Sequence, residues 1–139
     1  MKRLVAFGVA ASALFLLQGT AWAAHGVIQN IDVDETVVLL DDGRARVTGT
    51  ITCTTGAVDA RWRIGARLNQ DGNNTGRGGP DTGTCNGSPQ RWVVFVSPNA
   101  GDAFSPGPGT VVAAAQTGDR SGTIIERSET TESVTVVAR

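Results

Sequence analysis

Between residues 44 and 53 the chain alternates strictly, with Ala45, Val47, Gly49, Ile51 and Cys53 on one side and Arg44, Arg46, Thr48, Thr50 and Thr52 on the other. A period of two is the pattern of a β-strand with one buried and one wet face. Residues 36–40 precede it across Asp41-Asp42-Gly43, and an Asp-Gly turn between two such runs predicts a hairpin. Residues 57–68 repeat the rule, placing Ala60, Trp62, Ile64, Ala66 and Leu68 inward and Asp59, Arg61, Arg63 and Arg67 outward. Residues 91–96 form a dense apolar strand closed by Ser97-Pro98-Asn99. The runs 27–33, 110–116, 121–126 and 133–138 bring the expected total to about eight short strands. Prolines at Pro98, Pro106 and Pro108 forbid a helix through that region.

Residues 69–83 break the alternation with Gly72, Gly76, Gly78, Gly79, Pro80 and Gly83. They read as an exposed loop or a wide hairpin end, long for a compact domain. Many short strands at regular spacing without a helical period predict an all-β fold, a single antiparallel β-sandwich in preference to a barrel. No internal repeat and no domain boundary is visible.

The N-terminus follows a different rule. Lys2 and Arg3 are followed by an apolar run over residues 4–17 and by Ala21-Trp22-Ala23, the three parts of a secretory signal peptide. The apolar run is shorter than the roughly 20 residues needed to span a bilayer. Residues 1–23 are therefore expected to be cleaved, leaving residues 24–139 as one secreted domain without a membrane span. Ten basic residues then face thirteen acidic ones, since Lys2 and Arg3 leave with the peptide. A mature chain of net negative charge lacks the broad attraction that nucleic acid requires.

Export changes the meaning of the two cysteines. Cys53 and Cys85 are the only pair present, and an even pair in an oxidising compartment predicts a disulfide. Closing a loop of about 33 residues contributes roughly 3 to 4 kcal/mol in the chain-entropy view. Whether the bridge joins two sheets or pins a neighbouring loop stays open at this point, with Trp62 and Trp92 as inward-facing residues to pack beside it.

Several segments together resemble small exported immunoglobulin-like proteins of actinobacteria. They are the strand at residues 47–53 that ends in Cys53, the Cys85-Asn86-Gly87 triplet, the run Gln90-Arg91-Trp92-Val93-Val94, and the Gly-x-x-Phe-x-x-Gly element at residues 101–107. The resemblance covers most of the chain after residue 23. It implies an immunoglobulin-like sandwich and carries no activity or substrate with it.

Catalytic chemistry finds little support. The only histidine, His25, lies two residues into the expected mature chain, which leaves no base in the domain body for a Ser-His or Cys-His site. With both cysteines oxidised, no zinc ligand set remains. Asp71, Asn73 and Thr75 followed by Gly76 imitate the start of a calcium loop, yet Thr82 stands where a bidentate Glu is needed. A flexible polar turn rich in Asp, Asn and Gly is the plainer reading. Most acids fall in turns, where Asp is favoured for its own hydrogen bonding.

The outward arginines are the remaining candidate. If their strands were sheet neighbours, Arg44, Arg46, Arg61, Arg63 and Arg67 would share one exposed surface suited to carboxylates or phosphates. A solvated face balanced by nearby acids is the plainer alternative. The expected function is a non-enzymatic binding module without a cofactor, its partner an extracellular protein or an anionic cell-wall polymer. The alternatives are a protease inhibitor presenting residues 69–83 with Arg77 as anchor, and a small hydrolase using a carboxylate pair.

Overall fold

The computed structural model describes residues 27–139 apart from 55–59, 73, 120 and 122. The expected signal peptide and its cleavage site, His25, Asp59 and Asn73 lie outside the described residues. Eight strands follow in order: β1 (Ile28–Val33), β2 (Thr36–Leu39), β3 (Ala45–Cys53), β4 (Arg61–Gln70), β5 (Asn74–Thr84), β6 (Gln90–Pro98), β7 (Gly107–Gly118) and β8 (Ile124–Ala138). The described residues form no helix, so none is long and apolar enough to cross a membrane.

The alternation seen in the sequence becomes burial. Ala45, Val47, Gly49, Ile51 and Cys53 of β3 are buried, as are Trp62, Ile64, Ala66 and Leu68 of β4, Trp92, Val94 and Val96 of β6, and Val111, Ala113 and Ala115 of β7. Removing these apolar side chains from water is the main driving force for the fold.

The strand count agrees with expectation, but its make-up does not. Residues 69–83 are no loop: β4 runs on to Gln70, Asp71 and Gly72 make a tight turn, and β5 pairs back along β4 from Gln70↔Asn74 to Arg61↔Thr84. Glycine is disfavoured in strands because it packs no side chain, so the run looked irregular. Here the missing side chains are what admit it, since a Cβ on Gly76 would lie 2.6 Å from the Phe104 ring and one on Gly83 2.5 Å from the Trp62 indole. Arg77 accordingly sits in the middle of a paired strand and not in an exposed loop.

At the other end, the two short strands expected at 121–126 and 133–138 are one, β8, which pairs with β7 from Ile124 to Val136. The polar stretch between them faces water, so its lack of apolar residues marks exposure and not a turn.

The strands do not divide cleanly into the two antiparallel sheets expected. The strands form one continuous sheet in the order β1-β3-β2-β8-β7-β4-β5-β6, and β6 pairs back onto β3. Seven strands thereby close a ring, with β1 paired along the C-terminal half of β3. The closures are short. β2 leaves its hairpin with β3 after Leu39↔Ala45 and Val38↔Arg46 and then runs parallel to β8 from Thr36↔Thr135 to Leu39↔Ala138. β5 meets β6 only at Gly76↔Pro98, Arg77↔Ser97 and Gly78↔Val96. Closing the ring leaves fewer of the unpaired edges at which open sheets aggregate.

Cys53 and Cys85 are bonded, with Cα atoms 5.0 Å apart. The bridge ties the end of β3 to the residue following β5, and both sulfurs are buried. Around it the Cys85 amide donates to the Ala60 carbonyl and the Gly87 amide to the Cys53 carbonyl. It therefore links the β3–β6 side of the ring to the β4–β5 side.

Candidate ligand-binding face

The ring places the five arginines singled out above on two surfaces. β3 pairs with β1, β2 and β6, whereas β4 pairs with β5 and β7, so the strands carrying Arg46 and Arg61 are not neighbours. On the β3 side, Arg44 pairs with Asp42 at 2.7 Å and lies over the Phe95 ring, 4.9 Å from its centroid. Arg46 is half-buried opposite Phe95. Both belong to a face on which Val93 and Phe95 are exposed. Neither can act in concert with the β4 arginines.

The β3–β6 face also holds the second ion pair. Arg91 Nη1 donates to Asp34 Oδ1 at 3.2 Å, and the Thr48 hydroxyl donates to the same carboxylate. The Arg91 hydrogen bonds, aided by Thr48, hold the Asp34 carboxyl below its ordinary range. The Asp42 carboxyl is lowered too, first by the Arg44 backbone amide and then by its side chain. These charges are satisfied within the chain.

The β4 side differs. Outward positions alternate along β4 as Arg61, Arg63, Gly65 and Arg67, all exposed but the half-buried glycine. Register then adds arginines that were not grouped with them. Arg67 stands directly opposite Arg77 on β5. Arg63 stands opposite Gln116 on β7, which in turn stands opposite Arg127 on β8. Directly opposed residues of an antiparallel pair share a face, so Arg61, Arg63, Arg67, Arg77 and Arg127 occupy one surface. Among the described residues none of the five has an ion pair; the two ion pairs found are those of Arg44 and Arg91.

A cleft of about 620 Å³ lies in the middle of this surface, lined by Arg63, Gly65, Pro80, Ala114, Arg127 and Glu129 among others. A neighbouring depression of about 470 Å³ continues past Arg61 towards Thr82 and Ile124. Gly65 and Ala114, which are cross-strand partners, form the floor. The register of β5 shifts there, passing from Ile64↔Asp81 to Ala66↔Gly78, so that β5 bulges opposite Gly65 and Pro80 stands at the rim. Bulges of this kind re-aim side chains beside functional sites. The signal that could have found Arg77 and Arg127 was the alternation of β5 and β8, hidden in one by glycine and in the other by polar residues on both faces.

Two of the acids elsewhere serve backbone amides. Asp81 accepts the Thr82 amide on Oδ1 and the Val93 amide on Oδ2, at 2.9 Å each. Asp119 accepts the amides of Ser121 and Thr123. At the turn that resembles a calcium loop, Thr75 donates its hydroxyl to Asn69 at 3.3 Å, and Asp71 adopts a positive φ of 53°. Among the described residues no three His, Cys, Asp or Glu side chains gather as a metal site.

The chain is thus an all-β domain with a disulfide across its ring and one arginine-rich face. No protein-family model matches it, and no curated protein does either. Among solved structures it is similar to the major subunit of aggregative adherence fimbriae type I from Escherichia coli, at 12% identity and TM-score 0.42 over 82% of this chain and 95% of that one. A cohesin module from a family 33 glycoside hydrolase of Clostridium perfringens gives 11% identity and TM-score 0.41, over 84% of this chain and 99% of that one. A pilin subunit from enterotoxigenic Escherichia coli gives 10% and 0.39, over 78% and 98%.

Proposed function

We propose that the protein is an exported, non-enzymatic binding module and that the β4-centred arginine face receives an anionic polymer of the cell envelope. The observation that carries this reading is the opposition of Arg67 and Arg77. Like charges directly across a strand pair are destabilising, and no carboxylate among the described residues compensates them. A ligand bearing carboxylates or phosphates would supply the missing counter-charge, and guanidinium groups bind such groups in bidentate fashion. The disulfide supports export, because such bonds persist in oxidising compartments.

The test is retention of purified protein on an anionic cell-wall polymer at low and at high salt. Replacing Arg61 and Arg63 by Gln should abolish retention while leaving the thermal midpoint nearly unchanged, since exposed substitutions cost within about 0.5 kcal/mol. Replacing Arg44 and Arg46 by Gln, on the other side of the ring, should leave retention intact. Exposed charge contacts are screened within about 8 to 10 Å at physiological ionic strength, so retention should fall as salt rises. Equal retention of the two double variants would refute the assignment.

A further inference from the structure

We propose that the cleft over Gly65 and Ala114 is a subsite for one acidic sugar residue, a uronate within a longer chain, a deepening that rests on the reading of the arginine face given above. The cleft is not uniformly basic. Arg63 and Arg127 stand at either side of Gln116, two strand spacings or about 10 Å apart. Ala114 separates Gly65 from Glu129 in the next row of the same face. The site therefore offers guanidinium donors, an amide that both donates and accepts, and one carboxylate acceptor, all facing a floor with no side chain larger than a methyl group.

That combination discriminates between anions. A phosphate or sulfate chain brings acceptors only, and Glu129 would repel it. A uronate brings a carboxylate for the arginines and ring hydroxyls that can donate to Glu129 and Gln116. Its ring needs a shallow floor, which Gly65 and Ala114 provide, and Pro80 at the bulge supplies an apolar wall. A volume of about 620 Å³ falls in the range of small-ligand sites.

Titration calorimetry of the folded chain with trigalacturonate, its neutral methyl ester and tripolyphosphate tests this. Trigalacturonate should bind at least about tenfold tighter than either of the others, a difference of roughly 1.4 kcal/mol. Ala114→Leu, which fills the floor without changing charge, should weaken trigalacturonate at least about tenfold and leave retention on a long polyanion without uronates, such as dextran sulfate, unaltered. Glu129→Gln should weaken trigalacturonate and strengthen tripolyphosphate; because Glu129 is exposed, this variant carries the test even where Ala114→Leu fails to fold. Tripolyphosphate binding as tightly as trigalacturonate, or Ala114→Leu and Glu129→Gln each leaving the affinities unchanged, would overturn the subsite. Absence of trigalacturonate binding by the unmodified chain, with a long polyanion still retained, overturns the subsite alone, whereas failure of the unmodified chain to bind any polyanion overturns the arginine face as well.

Discussion

Arg67 on β4 and Arg77 on β5 are direct cross-strand partners on the exposed face of the ring, and among the described residues neither has a carboxylate partner. Cross-strand pairs contribute roughly 0.2 to 1 kcal/mol, with like charges on the unfavourable side. The chain retains both cations at a position where one neutral residue would relieve the repulsion. Arg77→Gln is therefore expected to raise stability by a few tenths of a kcal/mol while weakening polyanion binding. Chemical denaturation and retention on an anionic polymer, measured on the same preparation, check the two opposite signs. A variant that loses stability would show that Arg77 has a structural partner.

Loss of the disulfide acts on a different free energy. Replacing Cys53 and Cys85 by Ser removes a link between residues 32 apart in sequence and should cost about 3 to 4 kcal/mol, chiefly by freeing the unfolded chain. The denaturant midpoint measured with and without reductant should shift in parallel with that of the double variant. A loss below about 1 kcal/mol would mean that the closed ring holds the two sides together by itself.

The Asp34–Arg91 pair predicts a pH dependence with a definite sign. The folded-state carboxyl lies below its ordinary value of 3.8, first through the Arg91 hydrogen bonds and then through Thr48. A depressed acid stabilises the fold above its unfolded pKa, and that contribution disappears as pH falls through the lower folded value. The pair is largely exposed, so its worth at neutral pH is about 0 to 1 kcal/mol. Asp34→Asn should be less stable than the parent at pH 7 by that amount, with the difference closing below pH 3.8. Thermal melts across that window decide it, and a constant offset down to pH 2 would contradict it.

Gly49 tests the packing of the core. It is the cross-strand partner of Trp92, and a Cβ there would lie 1.9 Å from the Asp32 carbonyl oxygen and 2.5 Å from the indole. The indole is fixed in turn, since its Nε1 donates to the Thr50 carbonyl at 3.1 Å. Gly49→Ala should therefore cost about 3 kcal/mol, the upper end of overpacking. Gly43→Ala, in the β2–β3 turn with φ 88° and open space around it, should cost only about 1 kcal/mol through its backbone conformation. Similar losses at the two sites would show that β3 and β6 can move apart.

What the chain alone determined was the local pattern. The inward faces of β3 and β4, the Asp-Gly hairpin and the pairing of the two cysteines followed from period-two alternation, turn chemistry and cysteine count, because each depends on residues close in sequence or on residue type. The structure decided everything that depends on register between distant strands. The Gly-rich segment 74–84 became a strand because Trp62 and Phe104 occupy the space its side chains would need, a fact visible only when those rings are in place. Arg44 and Arg46 were separated from Arg61, Arg63 and Arg67 because β3 is not a neighbour of β4, and Arg77 and Arg127 were brought beside the latter by the register of the β4–β5, β4–β7 and β7–β8 pairings. A side chain's face is a local property of its strand, but the company it keeps on that face is set by which strands pair, and that choice belongs to the tertiary fold.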